Sequence, residues 1–373
     1  MFAMKKILYT TLACTVLFFG CSRDGEQPSP KGKEKEKTRV ELSGAIQASS
    51  SFTRGEGMIH PDLTVPTDPA GLPPRQLRIG IMTIELDQAA VPTVPQWFTG
   101  SAYLDHGFFG GVLPGDDPIS DGNIEYTNRD GTALQQVFYR EDGWYYHFVC
   151  VYPYEYIIDP EDLTDYMTDP GTGASVHFDV DGSQDIMAST LGSGNIEFQF
   201  EDSLVFSHKL TALRCKFIAE SAIAASNNIY GDIVSVELID QPGVIGLNIG
   251  QQALGTSATG DVIFVPASST DVDYPAVRSS SADLTMPYPL TGTPAEFGYM
   301  LAKPAKTYTF RITTTERYGL NALYATYDFD PTSIGTLPAA GTIYNLTFRM
   351  LETAGIELVA AVADEWWLDQ TFN

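Results

Sequence analysis

Short runs of alternating apolar and polar residues recur along most of the chain, and they constrain the fold more than any other feature of the sequence. In residues 40–48, Val40, Leu42 and Ile46 fall on one face of an extended chain, while Glu41 falls on the other. A period of two is typical of a β-strand with one buried face. The first such run after the N-terminal region therefore predicts a strand whose apolar side packs on a core.

Similar runs continue to the C-terminus, with turn clusters such as those at 114–123 and 128–131 between them. Only residues 219–226 and parts of 161–167 have the pattern of a helical turn. Seven or so strands in each half predict an all-β fold of two tandem β-sandwich domains, at 40–200 and 201–373. The strands are predicted at 77–86, 133–139, 144–152, 174–180, 195–200, 205–219, 233–239, 260–265, 297–301, 306–315, 323–328, 341–351 and 356–362.

The first 21 residues have the pattern of a bacterial lipoprotein signal. Lys5 and Lys6 precede an apolar run at 7–19, and Gly20 and Cys21 follow it directly. The run is too short to span a bilayer, which takes about 20 helical residues. We therefore expect Cys21 to be lipidated and to become the new N-terminus; the alternative is an incidental cysteine in an ordinary signal peptide.

Residues 22–39 are polar, charged and contain Pro and Gly, so they predict a flexible tether between the lipid and the folded body. The chain has a net charge of −25, but residues 1–54 hold nine Lys/Arg and five Asp/Glu, a surplus of four positive charges. Residues 55–373 therefore carry −29. Such a surface repels nucleic acid and anionic lipid, which excludes nucleic acid as a partner.

The sequence contains no motif that predicts catalysis, a metal site or a cofactor. Its five histidines are scattered without metal-ligand spacing, and no serine lies in a nucleophile elbow. Cys150 and Cys215 remain after export, in different predicted strands. A disulfide between them fits an oxidising compartment, but we expect two buried thiols.

Aromatic residues are concentrated at 144–156, where Trp144, Tyr146 and Tyr154 are candidates for stacking on a sugar. Alternation places Trp144 and Tyr146 on one face of the strand. The favoured interpretation is a core strand, and the alternative is a ligand-stacking platform on an exposed edge.

Several motifs, in their order along the chain, resemble the fimbrillin family, the lipoprotein-precursor pilins of Gram-negative gut and oral bacteria. They are Cys21 after the signal, the strand at 40–48 followed by Thr53-Arg54, and the segments VYPY at 151–154, DIMA at 185–188, FSHKL and LRCKF at 206–217, GTIYNL at 341–346, 356–362 and Trp366. The resemblance covers nearly the whole chain. It implies transthyretin-like or Greek-key β-sandwich domains.

The resemblance also implies a route of maturation. In this family an Arg-specific protease cuts the loop, here between Arg54 and Gly55, and the lipidated N-terminal strand is lost. A strand from a neighbouring subunit then fills the groove by β-strand addition. Removing Val40, Leu42 and Ile46 would expose side chains whose burial stabilises a fold by roughly 5–9 kcal/mol as an upper bound.

The sequence thus predicts a structural pilus subunit that contributes to adhesion, rather than an enzyme. Its expected partners are other pilin subunits, an Arg-specific protease and the outer membrane, to which Cys21 anchors the precursor before it joins a surface fimbrium. The chain ends six residues after Trp367 without a separate extension, which favours a tip or accessory component. The alternative function is a surface lipoprotein that binds glycans through residues 144–156.

Overall fold

The computed structural model describes residues 37–46, 77–87, 89, 102–109, 121–127, 133–154, 157, 175–226, 231–248, 262–263, 271–276, 290–315, 321–351 and 355–365. These residues belong to one compact unit that begins at Lys37. Nearly all the regular structure is β. The strands are β1 (Leu42–Ile46), β2 (Leu77–Leu86), β3 (Ala102–Phe109), β4 (Asp121–Thr127), β5 (Tyr145–Tyr152), β6 (Ser175–Asp179), β7 (Met187–Ser189), β8 (Gly192–Gly194), β9 (Ser203–His208), β10 (Thr211–Ala219), β11 (Ile233–Pro242), β12 (Val244–Asn248), β13 (Val262–Ile263), β14 (Asp271–Pro275), β15 (Ala295–Ala302), β16 (Tyr308–Thr315), β17 (Asn321–Phe329), β18 (Thr342–Leu351) and β19 (Gly355–Glu365).

In the part of the chain that the structure describes, two short helical elements interrupt the strands. The helix α1 (Ala222–Ser226) lies where the sequence predicts a helical turn, and a 3-10 helix spans Pro331–Ile334. Within the described ranges, no helix is both long and apolar enough to cross a membrane.

The first half of the unit is built on a sheet that closes on itself. Its strands follow the order β2-β3-β4-β1-β9-β7-β5-β8, and β5 also pairs with β2, so the hydrogen-bonded ring is complete. All its pairs are antiparallel except β1 with β9. The inner face encloses one apolar cluster, which includes Ile79, Ile81, Phe148 and Phe206.

The second half is a sandwich of two four-stranded sheets, ordered β15-β10-β18-β19 and β14-β11-β16-β17. Alternate residues of β10 and β16 point inward, as the period-two pattern predicts. The two sheets meet through aromatic contacts, such as Phe310 on Phe348 with ring centroids 5.4 Å apart.

One continuous core joins the two halves. Met82, Val149 and Phe178 of the first half belong to the same buried cluster as Leu213 and Phe310 of the second. Strand β6 of the first half pairs antiparallel with β12 of the second, with Phe178 opposite Ile245. Among the described residues, both halves therefore contribute side chains to one buried cluster.

A tight turn after β6 fixes this junction. Gly182 has φ +90°, and its carbonyl accepts a hydrogen bond from the Leu301 amide at 2.8 Å. A Cβ on Gly182 would lie 2.6 Å from the Cβ of Tyr274. The Tyr274 hydroxyl in turn donates to the Pro242 carbonyl at 2.5 Å. The turn thus needs glycine both for its backbone conformation and for its close approach to Tyr274.

The all-β class and most of the predicted strands are confirmed, and the structure corrects the others. Residues 133–139 and 195–200 are not strands, because they run as extended or bent segments held by single bridges and side chains. Residues 205–219 are two strands divided at Lys209. The sequence pattern does not predict strands β3, β4, β7, β8, β12 and β14. Strands β7 and β8 have three residues each, and β4 starts inside the turn cluster at 114–123. Strand β9, which lies after residue 200, belongs to the ring of the first half. The boundary between two domains at residues 200 and 201 stays a prediction.

Substitution of Gly182 tests the junction against a matched control. Gly143 has φ +79°, but a Cβ added there would meet nothing within 4 Å, so Gly143→Ala should cost only the left-handed backbone strain of about 1–2 kcal/mol. Gly182→Ala adds overpacking against Tyr274, about 1–3 kcal/mol more. Urea unfolding of both variants measures the difference, and equal losses would contradict the described junction.

Asp105 makes the stability of the ring depend on pH. It lies opposite Ile81, on the face of the inner cluster, and burial raises the pKa of Asp105 from 3.8 to about 6. Because the folded pKa lies above the unfolded one, the protonated carboxyl favours the fold below about pH 4, and this contribution is lost as pH rises through 6.

Asp105→Asn should therefore leave stability unchanged at pH 4 and raise it by about 1–2 kcal/mol at pH 7.5, after allowance for screening by water. The measurement is urea unfolding across this pH range. Asp87→Asn, at an exposed position after β2, serves as the control and should not change the profile. An unchanged profile for Asp105→Asn would show that the carboxyl is solvated.

Candidate functional site

Strand β1 is a short strand of the ring that lies between β4 and β9, two strands that do not pair with each other. It pairs antiparallel with β4, from Leu42 opposite Ile124 to Ala45 opposite Asp121. It also pairs in parallel with β9, from Ser43 opposite Ser203 to Ile46 opposite Phe206. Without β1, both β4 and β9 would present unpaired edges at this position.

The side chains of β1 and the residues before it alternate as the sequence predicts. Val40 and Leu42 are 3% and 4% exposed and belong to the inner cluster, while Glu41 is exposed. The third residue of the predicted removable strand, Ile46, pairs through its backbone, and its side chain lies outside the described part. Burial of Val40 and Leu42 stabilises the ring by roughly 3–6 kcal/mol.

On its outer face β1 makes polar contacts with β9. The Ser43 Oγ lies 3.1 Å from the Ser203 Oγ and donates to the Asp202 carbonyl at 3.3 Å. These bonds are exposed, so they contribute less to stability than the buried face. They fix the register of β1 against β9.

A second segment forms backbone hydrogen bonds with the chain just before β1. The Tyr139 amide donates to the Thr38 carbonyl at 3.0 Å, and the Val40 amide donates to the Val137 carbonyl at 2.8 Å. Between these bonds, Arg39 forms an isolated antiparallel bridge with Phe138. We call residues 137–139 the clamp segment.

Aromatic side chains of the ring hold the clamp segment in place. The Tyr146 hydroxyl donates to the Phe138 carbonyl at 3.2 Å, and the rings of Tyr139 and Tyr146 meet edge to face at 5.6 Å. The Tyr139 hydroxyl accepts from the Phe200 amide at 3.1 Å. Burial raises the pKa of Tyr146 to about 12, so its hydroxyl remains a donor at neutral pH.

The aromatic residues proposed for sugar stacking are not brought together on one exposed face. Tyr146 is 4% exposed and lies in the inner cluster, so it cannot stack on a ligand without leaving the core. The Arg140 guanidinium covers the ring of Trp144 at 4.3 Å, and Arg78 lies 5.9 Å from that of Tyr154. Strand β5 is buried on both faces, as expected for a core strand.

The two cysteines are buried free thiols in different places. Cys150 belongs to the inner cluster of the ring, and Cys215 belongs to the core that joins the halves. Burial raises the pKa of both thiols, which keeps them protonated. Among the described residues, no group of three or more His, Cys, Asp or Glu side chains is placed to hold a metal ion.

Sequence reasoning locates β1 but misses the clamp segment. Cys21, Arg54 and Gly55 lie outside the described residues, so their predicted roles remain predictions. The pattern of residues 133–139 predicts a strand, and their contact with 38–40 joins positions about 100 residues apart. No local pattern reveals such a pairing.

Comparisons with known proteins give matches among solved structures. Neither protein-family models nor curated proteins match the chain. A candidate cell adhesion protein from Bacteroides uniformis aligns with 91% of this chain and 100% of its own, at 16% identity and a TM-score of 0.46. A fimbrial protein from Bacteroides vulgatus aligns with 88% of this chain and 100% of its own, at 12% identity and a TM-score of 0.43.

A tip fimbrial protein from Porphyromonas gingivalis, with a C-terminal truncation, aligns with 89% of this chain and 100% of its own, at 12% identity and a TM-score of 0.39. These fimbrial and cell adhesion proteins are thus what the chain is similar to in structure.

Truncating a side chain on the inward face of β1 tests how much that face contributes to the free energy of unfolding. Leu42→Ala should destabilise the ring by about 2–5 kcal/mol because it leaves a cavity in the inner cluster. Glu41→Ala, one residue earlier on the exposed face, should change stability by no more than about 0.5 kcal/mol. Chemical denaturation of both variants gives the comparison, and similar effects would mean that β1 is held by its backbone alone.

Proposed function

We propose that this protein is a structural subunit of a surface fimbrium, and that replacement of β1 by a strand of a neighbouring subunit assembles the fibre. The observation that carries the proposal is the position of β1, a short buried strand that closes a ring between β4 and β9. A strand at the end of a polar tether, rather than in the middle of a domain, is the one that a single cut can release.

Loss of β1 would leave a groove that is both unstable and adhesive. The edges of β4 and β9 would each lose a row of hydrogen-bonded partners, and the inner cluster would be open where Val40 and Leu42 lay. Burial of these two side chains is comparable with a large part of a domain's net stability of about 5–15 kcal/mol. An incoming strand that restores both the hydrogen bonds and the side chains removes this cost.

The chain itself contains a strand that matches β1. Residues 40–46 read VELSGAI and residues 356–362 of β19 read IELVAAV, with Glu, Leu and Ala at the same places. Placed in the direction of β1, a β19 from another copy would put Ile356 at the site of Val40 and Leu358 at that of Leu42. Ala360 would take the place of Gly44, which is buried in β1.

In its own sheet β19 fits less regularly than it would in the groove. Among the described residues it is an edge strand beside β18, and its register shifts so that Thr347 faces Ala360 while Phe348 faces Leu358. Val359 is therefore an extra residue, a β-bulge that reverses the alternation after it. Val362 is consequently 54% exposed, whereas an unbulged strand would place it on the face of Ile356 and Leu358.

In this proposal Cys21 carries the precursor to the outer membrane, and an Arg-specific protease cuts between Arg54 and Gly55. Other pilin subunits are the partners, and the mature subunit belongs to the cell-surface fimbrium, where it contributes to adhesion. The acidic body, at −29 for residues 55–373, remains after the basic segment has been removed.

Blocking the cut tests the role of Arg54. Arg54→Ala should leave a monomeric lipoprotein that starts at Cys21, because β1 stays covalently joined to its ring. The readouts are the N-terminal sequence, the mass and the polymer ladder of protein from intact cells. Arg23→Ala in the tether is the matched control and should polymerise normally; polymers from Arg54→Ala would contradict the proposal.

A synthetic peptide of residues 355–365 tests which strand enters the groove. Added in excess during protease treatment of the full precursor, it should cap the open groove and shorten the polymers. The same peptide with Leu358 replaced by Asp should not, since a charge would enter the inner cluster. Polymers of unchanged length with the first peptide would mean that another strand is the donor.

A further inference from the structure

Arg39 lies at the joint between the tether and the removable strand. It is the last residue of the polar segment 22–39, and the buried Val40 follows it directly. Its side chain is exposed, which makes it available to an arginine-specific protease. Two arginines thus flank β1, Arg39 before it and Arg54 after it.

The backbone around Arg39 is held on both sides by the clamp segment. The Thr38 carbonyl and the Val40 amide are bonded to Tyr139 and Val137 at 3.0 and 2.8 Å, and the scissile bond between Arg39 and Val40 lies between these two contacts. A protease must draw such a bond out in an extended form, so the clamp has to open first. The clamp itself is held by the Tyr146 hydroxyl on the Phe138 carbonyl.

We propose that Arg39 is a second processing site. The site is protected from the protease while β1 is in its ring, and it becomes accessible to the protease when β1 is displaced. The inference rests on the proposed function, because displacement follows the cut after Arg54. As β1 leaves, residues 38–40 lose the clamp segment, and the Arg39–Val40 peptide bond is hydrolysed. Water supplies the hydroxyl of the new Arg39 carboxylate and the proton of the new Val40 amine.

The order of the two cuts has a consequence for assembly. After the cut at Arg54, a displaced β1 has no covalent link to its groove, but it remains on the membrane through Cys21. There it can re-enter the open groove of a cut subunit and compete with the incoming strand. Cutting after Arg39 separates the strand from the anchor and removes this competition. An early cut after Arg39 would instead release a sealed body that still holds β1 and cannot polymerise, and the clamp prevents this.

The first experiment measures protection by the clamp. The full precursor with Arg23→Lys and Arg54→Lys leaves Arg39 as the one arginine of residues 1–54 that an arginine-specific endoprotease cuts. New termini at Val40 should form about 100-fold more slowly from the folded protein than from the same protein in urea. Rates within tenfold of each other would overturn the proposal. Tyr146→Phe in this background keeps the ring but removes the bond to Phe138, and it should speed the cut several-fold.

The second experiment follows the order of cuts in the assembling precursor with Arg23→Lys alone. New termini at Gly55 should appear first, and a free peptide of residues 40–54 should follow as polymers form. With Arg39→Lys added, the strand should stay on the membrane and assembly should slow. If Gly55 termini and polymers form but the 40–54 peptide does not, the proposed cut after Arg39 is wrong and the proposed function still stands. If Gly55 termini never form, the proposed function fails and this second step fails with it, whatever the first experiment shows.

Discussion

The two-sided pairing of β1 is the constraint on which the ring of the first half depends. Four of its residues pair with β4 on one edge and four with β9 on the other, and those two strands do not pair with each other. A closed sheet has no edges, which protects it from further strand pairing. The same closure makes the stability of the ring depend on β1, because the loss of β1 would create two unpaired edges and expose the inner cluster.

The second half also has a strand that lies between one antiparallel and one parallel neighbour. Its first strand, β10, also lies between an antiparallel neighbour, β15, and a parallel one, β18. Strand β10 continues directly from β9 through two residues, and it packs in the core that joins both halves. It is therefore fixed by its chain neighbours and by burial, whereas β1 follows the polar segment 22–39. Of the two strands, β10 is thus the one that the chain holds within the shared core.

The aromatic run of β5 shows how tertiary structure assigns a role to residues that sequence leaves open. Trp144, Tyr146 and Tyr154 are adjacent enough to suggest a sugar-binding face. In the fold, Tyr146 is turned inward and its hydroxyl supports the clamp segment, while Arg140 covers Trp144. Burial on both faces of β5 leaves no open platform there, and Tyr146 supports the segment that pairs with the chain just before β1.

The sequence by itself determined the all-β class, the inward face of β1 at Val40 and Leu42, and most strands with clear alternation. These depend on a period of two within a few residues, which burial of one face imposes. Only the tertiary structure decided that β1 closes a ring, that residues 137–139 clamp Arg39, and that both halves share a core. Such contacts join residues far apart in the chain, and their register follows from how whole sheets pack. The bulge at Val359 likewise depends on the register of β19 against β18, which no pattern within β19 alone specifies.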